Sequence, residues 1–557
     1  MVKMANRTKQ LRNALNSIPT SSGVREAAKV PVEDTANRQG HKAYSLSDEC
    51  KLVTMLNTLK LQPQFYRSES AQMQDLQDVL DKVALKDPYF AAQAIVWSRC
   101  LGEGMRSVNH LAATLLLPYI SGREFAKRFY GAFDKKGRSG GGCIYRVDDM
   151  SEIKDIVYAL GGKSLANSMK KGFASVIEGL DTYQMAKYSK TVVDIANLTH
   201  PDSKKSKATL TVERDGKKVE IKTLDALMQG MTVTADTWES AQSEAGQIVS
   251  QAVKEGKLSQ EEAEKVLSEA KADNWESLLK DGRLGILAAL RNIRNIMKNP
   301  REGMIRDWCK LITDPVKIKN GLLLPVHFDL AYDVVTTEFR HTDFSPEVQR
   351  ALIEAYELAI PNLKAALPGK TCVIVDCSGS MGSYQVYEDG RSAGRTGLRT
   401  DRTRSAAYKA GLIAATIAKA TKADVVKFGG RASMFKYTAT ENVFSLAKKI
   451  GTADLGYTDP ASAFQLLTKE GLSYDRIIFI SDNEVNGRLV SPSYKEYIRK
   501  VCSPYIYGID LAGYGTACLK SDKVSYLFGY GTQLYEAIAS GEFNPEAHLE
   551  DIRKIVI

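Results

Sequence analysis

Asp376, Ser378 and Ser380 occupy alternate positions directly after the apolar run Thr371-Cys-Val-Ile-Val. A strand that is apolar on both faces belongs to a parallel sheet covered by helices. Ligands of open α/β sheets sit at the carboxyl ends of such strands. One carboxylate, two neutral hydroxyls and room for water suit a small hard cation such as Mg²⁺. Two further loops have matching chemistry: Thr458 in Gly456-Tyr-Thr458-Asp459-Pro, and Asp482 after the apolar run Ile477-Ile-Phe-Ile480-Ser. A competing reading has Asp376 and Ser378 merely capping the turn and helix that follow. A phosphotransfer aspartate would need a second acid two residues on, where Ser378 stands. Gly390-Arg-Ser392-Ala-Gly394 matches a nucleophile elbow, but no apolar strand precedes it and no histidine lies between His341 and His548 to act as its base.

A different chemistry is concentrated earlier in the chain. Lys170, Lys171, Lys187, Lys190 and His200 fall in a basic stretch interleaved with Phe173 and Tyr188. Lysines neutralise phosphates, and a tyrosine or histidine can stack on an unpaired base. The bland alternative is a solvated helix face, and His200 beside Pro201 also fits a loop end. Trp97-Ser-Arg99 and Met105-Arg106-Ser-Val-Asn109-His110 fit either an RNA path or a helix end with its loop. Arg291, Asn292 and Arg294 lie on an apolar helix, where Asn292 reads as structural, and His327 reads as an interior histidine. Five arginines between Tyr384 and Arg404 fit a solvated loop or a basic flap beside the cation.

The elements that must position these groups change character along the chain. Residues 1–37 are polar and basic and read as a mobile arm. From residue 38 to 365 apolar residues recur at helical spacing, as in Tyr89-Phe-Ala-Ala-Gln-Ala-Ile-Val-Trp, and similar helices in series suggest an irregular solenoid. Thr209-Leu-Thr-Val-Glu-Arg-Asp215-Gly216-Lys-Lys-Val-Glu interrupts them as a β-hairpin. From 366 to 540 strands (371–375, 424–428, 476–480, 504–509) alternate with helices (402–421, 441–449, 460–470, 493–501), the pattern of a doubly wound α/β domain. Residues 541–557 form a tail with a helical pattern that packs back elsewhere. The length of 557 residues calls for more than one core, and 44% hydrophobic with 25% charged residues is ordinary for a globular protein. A net charge of +10 permits an anionic partner without requiring one. Eight scattered cysteines at no zinc spacing read as reduced thiols. With no secretory signal and no apolar run of about 18 residues, the expected location is the cytoplasm.

The order and placement of Asp376, Ser378, Ser380, Thr458 and Asp482 resemble the metal-ion-dependent adhesion site of a von Willebrand factor A domain. The resemblance implies that these five residues surround one divalent cation. Three helical blocks joined to this domain resemble the Ro autoantigen family with its TROVE module: Arg38-Gln-Gly-His-Lys-Ala-Tyr-Ser-Leu-Ser-Asp, Leu287-Ala-Ala-Leu-Arg-Asn-Ile, and Leu324-Pro-Val326-His327-Phe, where Val326 replaces an aromatic. Asp194-Ile-Ala-Asn197-Leu-Thr-His200 is similar to a family segment whose histidine lies on the RNA surface, although Asn197 stands where the family has arginine. The resemblance implies HEAT-like repeats forming a monomeric ring closed by the A domain. It implies binding of small noncoding Y-like RNA and of single-stranded 3′ ends, a role in RNA quality control, an exoribonuclease as partner, and no enzymatic activity. The second expectation is a divalent-cation-dependent protein-binding module on a helical scaffold. A hydrolase is disfavoured, because one cation site lacks the paired-metal geometry usual for phosphodiester cleavage.

Overall fold

The computed structural model describes residues 27–557 except 60–67, 102–105, 136–139, 215–216, 232, 234–258, 322, 365–368, 383–404, 453–455, 529–533 and 535–546. The arginine-rich stretch and the Gly390–Gly394 pattern lie outside the described residues, as do residues 1–26.

Local signals delimit the helices. Ser47 caps the helix Asp48–Thr58 by accepting from the Cys50 amide, and Asp48 and Glu49 complement its dipole. Asp87 ends the helix Glu69–Lys86 and caps the next, Pro88–Cys100, where Pro88 fills the first turn at no hydrogen-bonding loss. These helices, with Arg106–Leu115, Val147–Ala159, Asn167–Glu178 and Ser189–Thr199, bury one shared core. The helices from Gln260–Lys280 to Ser345–Lys364 build a second core.

Two short strands open the described chain, β1 (Thr35–Ala36) and β2 (Lys42–Ser45). The expected hairpin forms as β3 (Thr209–Arg214) and β4 (Lys217–Lys222), antiparallel with Arg214 opposite Lys217. The α/β part contains β5 (Thr371–Asp376), β6 (Asp424–Phe428), β7 (Ala432–Phe435), β8 (Arg476–Ser481), β9 (Tyr505–Asp510), β10 (Thr516–Ala517) and β11 (Val524–Phe528). Its six-stranded sheet runs β11-β9-β8-β5-β6-β7, parallel throughout except for antiparallel β7 at the edge. Alternation along the strands explains the two covered faces. Val373, Val375, Val425, Ile478 and Ile480 pack beneath the helices Ala406–Thr421 and Val443–Gly451. Cys372, Ile374, Val426, Ile477 and Phe479 face Ala461–Lys469 and Val490–Lys500.

The helical and α/β parts share a core. The core under Ala406–Thr421 continues into the helices from residue 275 to 360. There the Tyr356 hydroxyl lies 2.6 Å from Thr416 Oγ1, the Tyr408 hydroxyl donates to Asp329 at 3.1 Å, and Tyr332 stacks on Phe444 at 4.0 Å. At the other end, β2 pairs antiparallel with β10, and Gly513 packs against Thr58 of the first long helix. Both ends of the helical run therefore rest on the α/β part.

Residues 27–37, expected within a mobile arm, instead lie along the α/β part. The Ala28 amide donates to Ser503 Oγ at 3.0 Å, the Lys29 amide to Asp522 at 2.8 Å, and Asn37 Nδ2 to the Val485 carbonyl at 2.6 Å. Val30 and Ala28 pack on the core beneath. Composition signals solvation but says nothing of a sheet edge hundreds of residues away. The tail docks too: the helix Ala547–Arg553 packs on Pro88–Cys100, and Gly140 bridges to Val556.

Candidate functional site

Asp376 ends β5, and β8, which pairs with it, ends one residue before Asp482. The sheet thus sets two carboxylates side by side at its carboxyl edge. Asp376 Oδ1 accepts from the Ser378 amide at 2.9 Å and Oδ2 from Ser481 Oγ at 2.6 Å. Ser378 and Ser380 hold their hydroxyls 3.2 Å apart, and the Ser380 hydroxyl acts on Asp482. The Thr458 loop is tied to both neighbours. Gly379 donates to the Gly456 carbonyl at 3.2 Å, and the Thr458 amide donates to Asn486 Oδ1 at 2.7 Å. Asn486 and Gly487 return bonds to the Thr458 carbonyl at 3.3 and 2.9 Å. Gly487 is needed here, since a Cβ would stand 2.7 Å from that of Asp459. Asp459 itself is engaged by Arg488 Nε and Nη2 at 2.9 and 2.7 Å.

The electrostatics are those of a site short of positive charge. Asp376 and Asp482 are each 1% exposed. Burial first, then the charge of Asp482, pushes the Asp376 carboxyl up to about 7, and burial raises Asp482 as well. Asp482 Oδ1 accepts from the Glu484 amide at 3.1 Å, but its buried Oδ2 has no hydrogen-bond partner among the described residues. Unpaired buried carboxylates are costly, and a dication among these donors would offset that cost. Among the described residues no three His, Cys, Asp or Glu side chains form a metal cage. The donor side chains on these three loops are two carboxylates and three hydroxyls, a set that fits a hard, partly hydrated ion.

Three residues absent from the sequence reading belong to this edge. Asn486 positions Thr458. Glu484 is fully buried with neither oxygen in a hydrogen bond of ordinary geometry among the described residues. Burial and then Asp482 push its carboxyl up to about 7, against the pull of Arg38. Asp510 ends β9, accepts from the Ala512 and Gly513 amides at 2.9 and 2.8 Å, and is pushed up to about 6, chiefly by burial. The signal was present: Asp482-Asn-Glu484 and Asp510 each close an apolar run, as Asp376 does.

The basic candidates divide into two groups. Lys171 is exposed and Lys170 half-buried near the start of Asn167–Glu178, and Lys190 is exposed at the start of Ser189–Thr199. Lys187 Nζ donates to the Tyr183 hydroxyl at 3.2 Å and lies over the Tyr183 and Tyr188 rings. His200 is exposed and caps its helix in the left-handed region, φ 50°. The Asp202 amide donates to Glu178 at 2.9 Å, which sets the carboxyl ends of these two packed helices side by side. At 1.5 Å per residue, His200 is then about 15 Å along the helix from Lys190. Lys170 and Lys171 thus lie near the start of one helix, Lys187 and Lys190 near the start of the other, and His200 at the far end of the second.

Arg99, Arg106 and His110 turn out to serve Asp149. Arg99 Nη2 reaches both its oxygens at 2.8 and 2.9 Å, Arg106 Nε one of them at 3.0 Å, and the Tyr145 and Arg146 amides complete the shell. His110 Nε2 stands 3.3 Å from the same carboxylate. Asn292 Nδ2 donates to the Ala288 carbonyl one turn back at 2.9 Å, and His327 Nδ1 accepts from the Leu324 amide at 2.9 Å. Arg294 is engaged by Glu338, while Arg291 is exposed.

No family model matches this sequence, and no curated protein matches it. Among solved structures the chain is similar to the Ro (RSR) protein of Deinococcus radiodurans, with 17% identity over 89% of this chain and 100% of that one and a TM-score of 0.54. At that identity the likeness is one of fold. No helix among the described residues is long and apolar enough to cross a membrane.

Proposed function

We propose that this protein is an RNA-binding scaffold of the Ro type rather than an enzyme. In this reading the helical region is a monomeric ring of HEAT-like repeats closed by a von Willebrand factor A-like domain. It takes up small noncoding Y-like RNA and the single-stranded 3′ ends of misfolded or structured RNA in cytoplasmic RNA quality control, with an exoribonuclease as partner. The likeness in fold to a Ro protein over 89% of the chain carries the reading. The docking of both ends of the helical run on the α/β part is in keeping with it. Lys170, Lys171, Lys187 and Lys190 would neutralise phosphates, with His200 contacting the same RNA a helix length away. Asp376, Ser378, Ser380, Thr458 and Asp482 would hold one divalent cation, Mg²⁺ in the cell.

The test is binding of a stem-loop RNA with a single-stranded 3′ tail, against a blunt duplex, over a salt series. The tailed RNA should bind at least tenfold more tightly at moderate salt, with log affinity falling by about 0.7 per log unit of salt for each single-strand phosphate engaged. Replacing Lys171 and Lys190 together by glutamate should weaken binding and flatten that slope. Equal affinity for tailed and blunt RNA would overturn the tail-binding reading.

A second reading rests on the Asp482 oxygen that has no hydrogen-bond partner among the described residues: the α/β part recruits a protein whose acidic side chain completes the coordination of the bound cation. Asp376→Ala should then abolish Mn²⁺ binding and partner capture while leaving RNA affinity unchanged. A fall in RNA affinity with partner capture intact would exclude this division of labour.

A further inference from the structure

The loop 482–487 serves two structures at once. Its first residue is Asp482, and its fifth, Asn486, holds the Thr458 amide at 2.7 Å. Between them, the Val485 carbonyl accepts from Asn37 Nδ2 at 2.6 Å, a bond that is buried. Next along from Asn37, Arg38 supplies the charge that acts on Glu484, the loop's third residue. Arg38 also pairs with Asp75 at 2.5 Å and lies over the Tyr514 ring at 5.7 Å. From Arg38 the chain leads into β2, which pairs with β10, and then into the helix Asp48–Thr58 seated against Gly513. The seam between the α/β part and the start of the helical run thus meets, through Asn37 and Arg38, the same six residues that would carry one ligand of the cation and position another.

The loop has a constrained backbone. Asn483 adopts φ 62°, and its Oδ1 accepts from the Cys518 amide at 3.3 Å, just beyond β10. A small shift of Asp482 toward a cation therefore cannot be absorbed locally, because its neighbours are fastened to Cys518, to the Thr458 loop and to Asn37. Packed segments of this kind switch between arrangements rather than deform gradually.

We propose that the loop 482–487 couples the cation site to the seam, so that a divalent cation at Asp376 and Asp482 tightens the docking of residues 37–45 on the α/β part. This rests on the cation reading above. By linkage the effect is reciprocal: loosening the seam weakens the cation. Asn37 is a positioning residue for the cation site, acting through the Val485 carbonyl, although it donates no ligand.

The experiment uses the full chain with Mn²⁺ as probe. Amide exchange across residues 34–45 is measured with Mn²⁺ and with chelator, and Mn²⁺ affinity is measured calorimetrically for the wild type and Asn37→Ala. Mn²⁺ should slow exchange in 34–45 at least fivefold, the lower end of typical coupling. Asn37→Ala should weaken Mn²⁺ by a similar factor with its helical circular dichroism unchanged. Asn37→Asp, which keeps the shape but removes the donor, should behave like alanine, whereas Asn37→Gln should restore part of the affinity. Binding of Mn²⁺ with no change in exchange, or with Asn37→Ala affinity unchanged, overturns the coupling and leaves the cation reading standing. No binding of Mn²⁺ to the wild type removes both.

Discussion

At the scale of single residues, Asp149 shows how a charged side chain can look functional and be structural. Burial alone would raise its carboxyl, yet the nearby His110, the bonds from Arg99 and the charge of Arg99 hold it well below the ordinary carboxylate range. Because the folded value is depressed, the ionised form stabilises the fold at any pH above the unfolded value of about 3.9, and that stability drains away as pH falls below it. Asp149→Ala would remove the buried carboxylate that Arg99, Arg106 and His110 share and leave Glu152 to pair with Arg106 and His110. It should cost about 3–5 kcal/mol at pH 7, the usual result of breaking a buried ion cluster. Amide exchange in the helix Val147–Ala159 reads this opening directly, and the gap from wild type should narrow below about pH 4. In the sequence Arg99, Arg106 and His110 were legible as a polar set, but not as a set gathered on Asp149, with Glu152 also pairing Arg106 and His110 at 2.8 Å. Asp149 lies some forty residues away on another helix, and its partnership exists only after packing. Asp376, Ser378, Ser380 and Asp482 were easier to read because they end or follow apolar strands, a position that chain order alone marks, whereas Thr458 lies between two helices and was marked only by its loop chemistry. Glu484 and Asp510 also end or follow apolar strands, but their chemistry matches no familiar spacing.

At the scale of elements, the parallel strands of the sheet were legible because burial on both faces leaves continuous apolar runs. The edge strands were not. β7 is antiparallel, short and half-exposed, and β11 reads as Val-Ser-Tyr-Leu-Phe, where polar Ser525 breaks the run. β1, β2 and β10 have two to four residues each and exist through pairing across the chain. The element that most depends on such pairing is the seam around Gly513. Its φ of 64° favours glycine, and a Cβ there would stand 2.1 Å from Thr58 Oγ1. Gly513→Val should therefore lift the helix Asp48–Thr58 off the α/β part, at a cost of about 1–3 kcal/mol or more from overpacking and backbone strain. Gly285→Ala, with nothing within 4 Å of the new carbon, should stay within about 0.5 kcal/mol of wild type. Chemical denaturation of the pair tests this, and equal midpoints would mean that the seam yields freely.

At the scale of the molecule, the chain is fastened at places far apart in sequence, and local patterns could not announce them. The tail was legible as a helix but its partner was not, because its apolar face matches any exposed groove. In the fold Ile552, Ile555 and Ile557 are buried in the first helical core. Gln93 Nε2 donates to the Arg553 and Ile555 carbonyls at 2.9 and 2.7 Å, and the Gly141 amide to the Val556 carbonyl at 2.8 Å. The Gly140 and Gly141 pair permits that approach, since a Cβ on Gly140 would meet the Val556 carbonyl oxygen at 2.2 Å. Three buried isoleucines at about 1.5–3 kcal/mol each amount to roughly 5–9 kcal/mol as an upper bound. Removing residues 547–557 should therefore destabilise the helices 88–199 selectively. The α/β part and the helices from residue 275 share a separate core, so they should unfold near their original midpoint. Thermal unfolding of the truncated chain should split into two transitions where the intact protein shows closer ones, with amide exchange assigning the earlier transition to Pro88–Cys100. A single unshifted transition would show that the tail rests on the first helical core without supporting it.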